Sequence, residues 1–249
     1  MAEAPFLKQI DIRGDLYPSG EAYPFNVGPL TGRQTLNIDT TVTFLVGENG
    51  SGKSTFLHAL ARSCGLPLWG QPQRSRTVGE VPVAALSAYV HPTLADGPFS
   101  GGFFSAEGFR DWIEFLDDMA RIDPGQAEFQ GGPELTARSH GQGILDYFRS
   151  RYQIPGLYFL DEPESALSPA SQVELLRLLA SCGRSGHTQF LVATHSPILM
   201  ALPGSRLFDF DQDGIVERHY ETTAHFRLYR AFLSDPGSYL RTAATDTPE

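Results

Sequence analysis

The octapeptide Gly47-Glu48-Asn49-Gly50-Ser51-Gly52-Lys53-Ser54 constrains this chain more than any other part of it. It fits the spacing GxxxxGKS, and its flanks fit as well. Thr41–Val46 (TVTFLV) is a β-branched apolar run of the kind that makes a buried parallel strand, and Ser54–Ser63 (STFLHALARS) carries Phe56, Leu57 and Leu60 at helical spacing. Strand, glycine-rich loop and helix in this order form a phosphate cradle. Glycines let backbone N–H groups curl around a phosphate, the helix offers its positive end, a lysine neutralises charge and a serine hydroxyl reaches a divalent cation. Gly47, Asn49, Gly50, Ser51, Gly52, Lys53, Ser54 and Thr55 are therefore candidate nucleotide contacts, with Lys53 also a catalytic candidate and Ser54 a candidate magnesium ligand.

Two further apolar runs end in chemistry-bearing residues. Leu157–Leu160 stops at Asp161 and Glu162, followed by Pro163, and Gln189–Ala193 (QFLVA) stops at Thr194, His195 and Ser196 before a short helix. A carboxylate at the first strand end can hold magnesium (Asp161), the next can polarise an attacking water (Glu162), and an imidazole at the second strand end can reach a γ-phosphate (His195). Ser168 and Pro169 read as N-cap and first residue of a helix carrying Val173, Leu176 and Leu179, with Gly183 near its end. Apolar strands alternating with amphipathic helices predict an α/β fold with a mostly parallel central sheet, which binds ligands at the carboxyl ends of its strands.

The remaining segments are less regular. FLKQIDI predicts a strand near an edge, with Phe6, Lys8, Ile10 and Ile12 on one face and Leu7, Gln9 and Asp11 on the other; Gly14–Gly32 is rich in glycine and proline, and most of Gln71–Gly102 is left unassigned. Phe109–Arg121 predicts a helix with a stripe through Trp112, Phe115, Leu116 and Met119. A loop containing Pro124, Gly125, Gly131, Gly132 and Pro133 then leads to SHGQG and a helix through Tyr152. His219, Tyr220, Glu221 and His225 have no metal-site spacing and read as a helix start with solvated faces.

Taken together, GENGSGKST, SHGQ, LDEPESALSP and ATHSP closely resemble the soluble ABC-type ATPases grouped among AAA-family ATPases, relatives of the RecF, Rad50 and overcoming-lysogenisation-defect groups. The resemblance runs from Thr41 to about Pro203, and the tail RLYRAFLSDPGSYLR also looks like that of small members. It implies a P-loop NTPase fold with an antiparallel N-terminal β portion and a helical subdomain at about residues 104–152, within one domain spanning 1–249. It implies ATP and Mg2+ as ligands, hydrolysis to ADP and phosphate, and an ATP-dependent homodimer that drives or gates a protein partner. Ser139, Gly141 and Gln142 then occupy the signature that reaches the γ-phosphate of the opposite subunit, and Ser168 falls in the D-loop. The chain departs from the family pattern where RSHGQ replaces LSGGQ, which puts His140 in place of a glycine, and where Ser105 or Glu107 stands for the Q-loop glutamine, Glu107 being a candidate magnesium ligand. Tyr23 and Phe25 precede the P-loop as an adenine-contacting aromatic does, and Arg13 sits where Rad50-like proteins carry an arginine; each reads as core or surface.

Composition narrows the function classes. A net charge of −10 with only two lysines, Lys8 and Lys53, opposes nonspecific attachment to nucleic acid and so counts against a RecF-like role on DNA. The roughly 85 residues between loop and signature leave no room for long coiled-coil arms. No apolar run approaches the ~20 residues needed to span a bilayer, the N-terminus lacks a signal-peptide layout, and Cys64 and Cys182 have no partner spacing, all pointing to a reduced, cytoplasmic protein. The departures at His140 and the Q-loop favour an alternative, an ATP-gated interaction module with slow hydrolysis, such as a transporter subunit or defence-system sensor.

Overall fold

A computed structural model of the chain describes residues 4–67, 83–106, 108 and 140–243. Among them, a six-stranded sheet has the order β5-β6-β7-β3-β8-β9: β5 (Ser100–Ser105), β6 (Gly156–Asp161), β7 (Thr188–Thr194), β3 (Val42–Val46), β8 (Arg206–Asp209) and β9 (Val216–Arg218). All neighbours are parallel except β8 and β9, which pair antiparallel. A second, antiparallel sheet has the order β2-β1-β4, from β1 (Leu7–Arg13), β2 (Arg33–Asn37) and β4 (Val90–Leu94). This is the mostly parallel α/β architecture with an antiparallel N-terminal portion that the sequence implies.

The core has two halves, one on each face of the central sheet. Leu45, Phe103, Phe159, Leu191 and Phe208 point to the side covered by α1 (Lys53–Ser63) and the antiparallel sheet. Phe44, Val46, Tyr158, Leu160, Phe190 and Val192 point to the side covered by α2 (His140–Arg151) and α3 (Pro169–Arg184). Because neighbouring side chains on a strand face opposite ways, a strand buried on both faces must be apolar throughout, which is why these strands read as continuous runs. Ser168 caps α3 as expected, its side chain accepting from the Ser171 N–H, with Pro169 at the first helical position.

Three expectations are corrected. β1 is the middle strand of its sheet and not an edge. Its register against β4 slips between Leu7 and Gln9, so Leu7, Ile10 and Ile12 are all buried while Lys8 is exposed; the bulge absorbs one residue and shifts the alternation. The stretch left unassigned contains a 3-10 segment at Val83–Tyr89, all of β4 and the start of β5. The helix expected at Phe109–Arg121, and most of the expected helical subdomain, lie outside the described residues. Cys64 and Cys182 are free thiols, and burial pushes Cys64 up to about 12 and raises Cys182.

One side chain ties the two sheets together. Gln189, fully buried at the start of β7, donates from Nε2 to the carbonyls of Leu7 (2.9 Å) and Thr40 (3.1 Å), and its Oε1 accepts from the Leu7 N–H at 2.7 Å. Replacing it with a leucine leaves those backbone groups without partners in a dry interior. Gln189→Leu should lower unfolding free energy by about 2–4 kcal/mol in urea titration at unchanged slope, and a loss below ~0.5 kcal/mol would contradict the tie.

Candidate functional site

Parallel pairing brings three strand ends into line. Val46 pairs with Thr194, and Asp161 with Ala193, so the residues that follow, Gly47, His195 and Glu162, leave the sheet at one edge. The loop after β3 turns tightly there. Gly47 has φ 146°, and a Cβ on it would come within 2.8 Å of Asp211 Oδ1; Gly52 has φ 98°, and a Cβ would collide with the Val27 side chain. Neither position admits another residue without strain. Asp211, in the turn after β8, holds the loop from outside by accepting from the Glu48 N–H at 2.7 Å.

Lys53 is 3% exposed, and its Nζ donates to the carbonyls of Gly47 (2.7 Å) and Glu48 (2.8 Å). Burial pushes this ammonium below the usual lysine range, against the opposing pull of Glu162, Asp211, Asp161 and Glu164. A polyphosphate above the loop would offer it charge compensation that carbonyls cannot. Ser54 donates to Asp161 Oδ1 at 2.8 Å, which sets two hard oxygen donors side by side. Among the described residues there is no group of three or more His, Cys, Asp or Glu side chains able to hold a metal alone. The donor set therefore fits a magnesium ion that arrives with phosphate oxygens, the usual way this ion is held. His58, one turn along α1, places Nε2 at 3.7 Å from the second Asp161 oxygen.

An open cleft of about 580 Å3 runs beside the loop, walled by residues 50–55 on one side and by Tyr23 and residues 26–29 on the other, with Glu162 at its end. Tyr23, half exposed, has its hydroxyl 2.9 Å from Thr55 Oγ1, whereas Phe25 is core. Arg13 pairs with Asp15. Asn49 is exposed on the loop.

Glu162 is the one non-glycine among the described residues with a left-handed backbone (φ 47°), a conformation that costs about 1–3 kcal/mol. Its backbone N–H is anchored on the Ala193 carbonyl at 2.9 Å, and its side chain is part exposed. His195 Nδ1 lies 3.9 Å from Glu162 Oε1 and 3.6 Å from Glu164 Oε1. Sequence reasoning missed Glu164. It is 6% exposed and accepts from the Thr194 hydroxyl at 2.6 Å and the His195 N–H at 2.8 Å, so this carboxylate fixes the backbone from which the imidazole projects. Its second oxygen and His195 Nδ1 are both buried without a hydrogen-bond partner. Ser196 and Tyr220 extend the grip, the first donating to Gln172 Oε1 at 2.6 Å and the second to the Pro197 carbonyl at 2.8 Å. The doubled acid in LDEPE was the available signal, since a surface acid has no need to follow a strand-end pair so closely.

Gly47, Gly50, Ser51, Gly52, Lys53, Ser54, Thr55, Asp161, Glu162 and His195 thus share one sheet edge. Gly141 and Gln142 lie in the first turn of α2, while Ser139 and Glu107 lie outside the described residues. Ser105 ends β5 in register with Asp161 and accepts from the Gly108 N–H at 3.0 Å. Of the cluster read as a solvated helix start, His219 and Glu221 are exposed as expected, and only His225 is corrected. His225 is buried, with Nε2 3.8 Å from Glu48 Oε1, because the polypeptide after β9 folds back onto the loop.

Comparison with known proteins adds four findings. A family model described as "AAA domain, putative AbiEii toxin, Type IV TA system" matches residues 126–201, which include Asp161, Glu162, Glu164 and His195 but not the glycine-rich loop. The hemin import ATP-binding protein HmuV of Rhodopseudomonas palustris (strain BisA53) is 29% identical over 195 residues, 68% of this chain and 69% of that protein. The thiamine import ATP-binding protein ThiQ of Ruegeria sp. (strain TM1040) is 28% identical over 165 residues, 61% of this chain and 70% of that protein. The fold is similar to that in "An inward-facing conformation of a putative metal-chelate type ABC transporter", with TM-score 0.50 and 18% identity, covering 89% of this chain and 88% of the other.

Removing the Glu164 carboxylate should disturb chemistry more than binding. In Glu164→Ala, kcat for the bound nucleotide should fall by about 10–100-fold with KM changed less than ~3-fold, and Glu164→Gln, which keeps one acceptor, should recover most of the loss. Equal activity in both variants would show that His195 needs no such anchor.

Proposed function

We propose that the chain is an ABC-type P-loop ATPase, a reading supported by its similarity to import ATP-binding proteins, and that it acts as a homodimer closed around two ATP molecules, whose closure drives or gates a protein partner. The observation that carries this reading is the convergence at one sheet edge of Lys53, the Ser54–Asp161 pair, Glu162 and His195 beside a cleft lined by the loop. In this reading ATP lies along residues 47–55, with backbone N–H groups and Lys53 on the β- and γ-phosphates. Ser54 and Asp161 would hold Mg2+, which when bound would supply charge neutralisation on the phosphate oxygens.

Glu162 orients a water in line with the γ-phosphorus and accepts its proton as the new P–O bond forms and the bond to the bridging oxygen breaks, leaving ADP and phosphate. His195, held through Glu164, donates a hydrogen bond to the transferring phosphoryl group. Ser139, Gly141 and Gln142 are the residues that would reach the γ-phosphate of the second subunit, with Glu107 as a further magnesium contact. Most of the rate enhancement in such a site comes from positioning and preformed charge.

A transporter subunit is the second reading. It is supported by the import ATP-binding proteins among the relatives.

Steady-state hydrolysis and size-exclusion mass with Mg-ATP should separate wild type from Glu162→Gln. The variant should lose at least ~100-fold in turnover and accumulate as an ATP-bound dimer. Undiminished turnover would remove Glu162 as the base, and a monomer at every ATP concentration would overturn the sandwich.

A further inference from the structure

The last two described helices leave the body of the protein with an apolar face uncovered. In α4 (Ala224–Ser234), His225, Phe226, Leu228, Tyr229, Phe232 and Leu233 fall within one half of the helix circumference, with Arg227, Arg230 and Ser234 opposite. The stripe starts against the body. Thr223 caps the helix, its side chain accepting from the Phe226 N–H at 3.3 Å, Phe226 packs on Tyr220 with ring centroids 4.7 Å apart, and His225 is buried beside Glu48 of the phosphate loop. One turn later the helix has left that surface, and Leu228, Tyr229 and Phe232 are half exposed. α5 (Pro236–Ala243) folds back so that Tyr239 meets Phe232 edge-on at 5.7 Å, and Leu233 and Leu240 are each 71% exposed.

We propose that this hairpin is an arm that seats on a second copy of this chain across the nucleotide-bearing edge. Area, position and charge support that occupant. The six exposed apolar side chains present roughly 600 Å2, more than solitary surface hydrophobes account for, so two arms exchanged between two chains cover roughly 1,200 Å2, the lower bound for a specific interface. The stripe begins at Glu48, so its free part continues from the edge on which two chains would close around ATP; in this respect the proposal rests on the sandwich reading. The arm carries Arg227 and Arg230 against Asp235, a basic element within a chain of −10, so the rest of a second copy is its electrostatic complement while another arm is not.

The test uses the full chain in the Glu162→Gln background with Mg-ATP, following dimer dissociation by light scattering and monomer ATP affinity with a fluorescent ATP analogue. Leu233→Asp with Leu240→Asp, both far from the nucleotide cleft, should weaken the dimer on the order of 100-fold while ATP affinity stays within ~2-fold and far-UV circular dichroism is unchanged. Arg227→Glu should weaken it at low salt and much less at high salt. A dimer of unchanged affinity in the double variant overturns the arm and leaves the sandwich standing. A parent chain that never dimerises overturns both. A monomeric parent that sediments with phosphatidylserine-containing vesicles, an effect lost in the double variant, assigns the face to a membrane surface and overturns the proposal as well.

Discussion

The parallel register among β6, β7 and β3 is the constraint on which the rest of this structure depends. A parallel ladder aligns not only strands but the points at which they stop, and here Asp161, Ala193 and Leu45 lie in one row across three strands. β6 leaves the sheet at the next residue and β3 and β7 one residue later, so the phosphate loop, the carboxylate pair and the imidazole emerge side by side. Because each of these strands is buried on both faces, a slip of register would carry a polar strand-end residue into the core or an apolar one out of it. The hydrophobic pattern that folds the sheet therefore also aligns the chemistry.

Around that edge, charges are held where water is scarce. Lys53 is desolvated onto carbonyls, Glu164 is buried under the loop that carries His195, and Asp161 meets Ser54. Such groups are expensive to bury without partners, and each takes its partners from the backbone or from a neighbouring hydroxyl. Two atoms do not, Glu164 Oε2 and His195 Nδ1, and they belong to side chains that approach to 3.6 Å through Glu164 Oε1. The left-handed backbone of Glu162 belongs to the same pattern of local cost at a reactive position.

Much of this was legible from residues alone, and the reasons are specific. The phosphate loop is contiguous, with its strand and helix beside it, so the motif and its context are read together. Asp161, Glu162 and His195 each follow an unbroken apolar run, which announces both a buried strand and its end. β4 and β5 were not legible, because Pro92 interrupts one and Gly101 and Gly102 thin the other. Gly101 is explained only by a neighbour distant in sequence, since a Cβ there would meet the Leu157 carbonyl. Lys8 hid the bulge in β1, because alternation carries no mark of one extra residue. The contacts of Glu164, Asp211 and His225 were not legible for a shared reason: each touches a segment far away in the chain, and polar residues outside a motif look solvated. Tyr23 and residues 26–29 became a cleft wall only when the stretch before β2 packed against Gly52.

The central claim is that nucleotide binds along the edge which the register creates, and hydrogen exchange tests it most directly. Amide exchange in the full chain should be compared with and without saturating Mg-ATP in the Glu162→Gln variant, in which turnover does not consume the ligand. Protection is predicted to concentrate in residues 47–55, in residues 23–29 across the cleft, and in the strand-end turns at 161–164 and 194–196. Protection confined to other surfaces, with the loop at 47–55 exchanging as fast as in the free protein, would contradict the account.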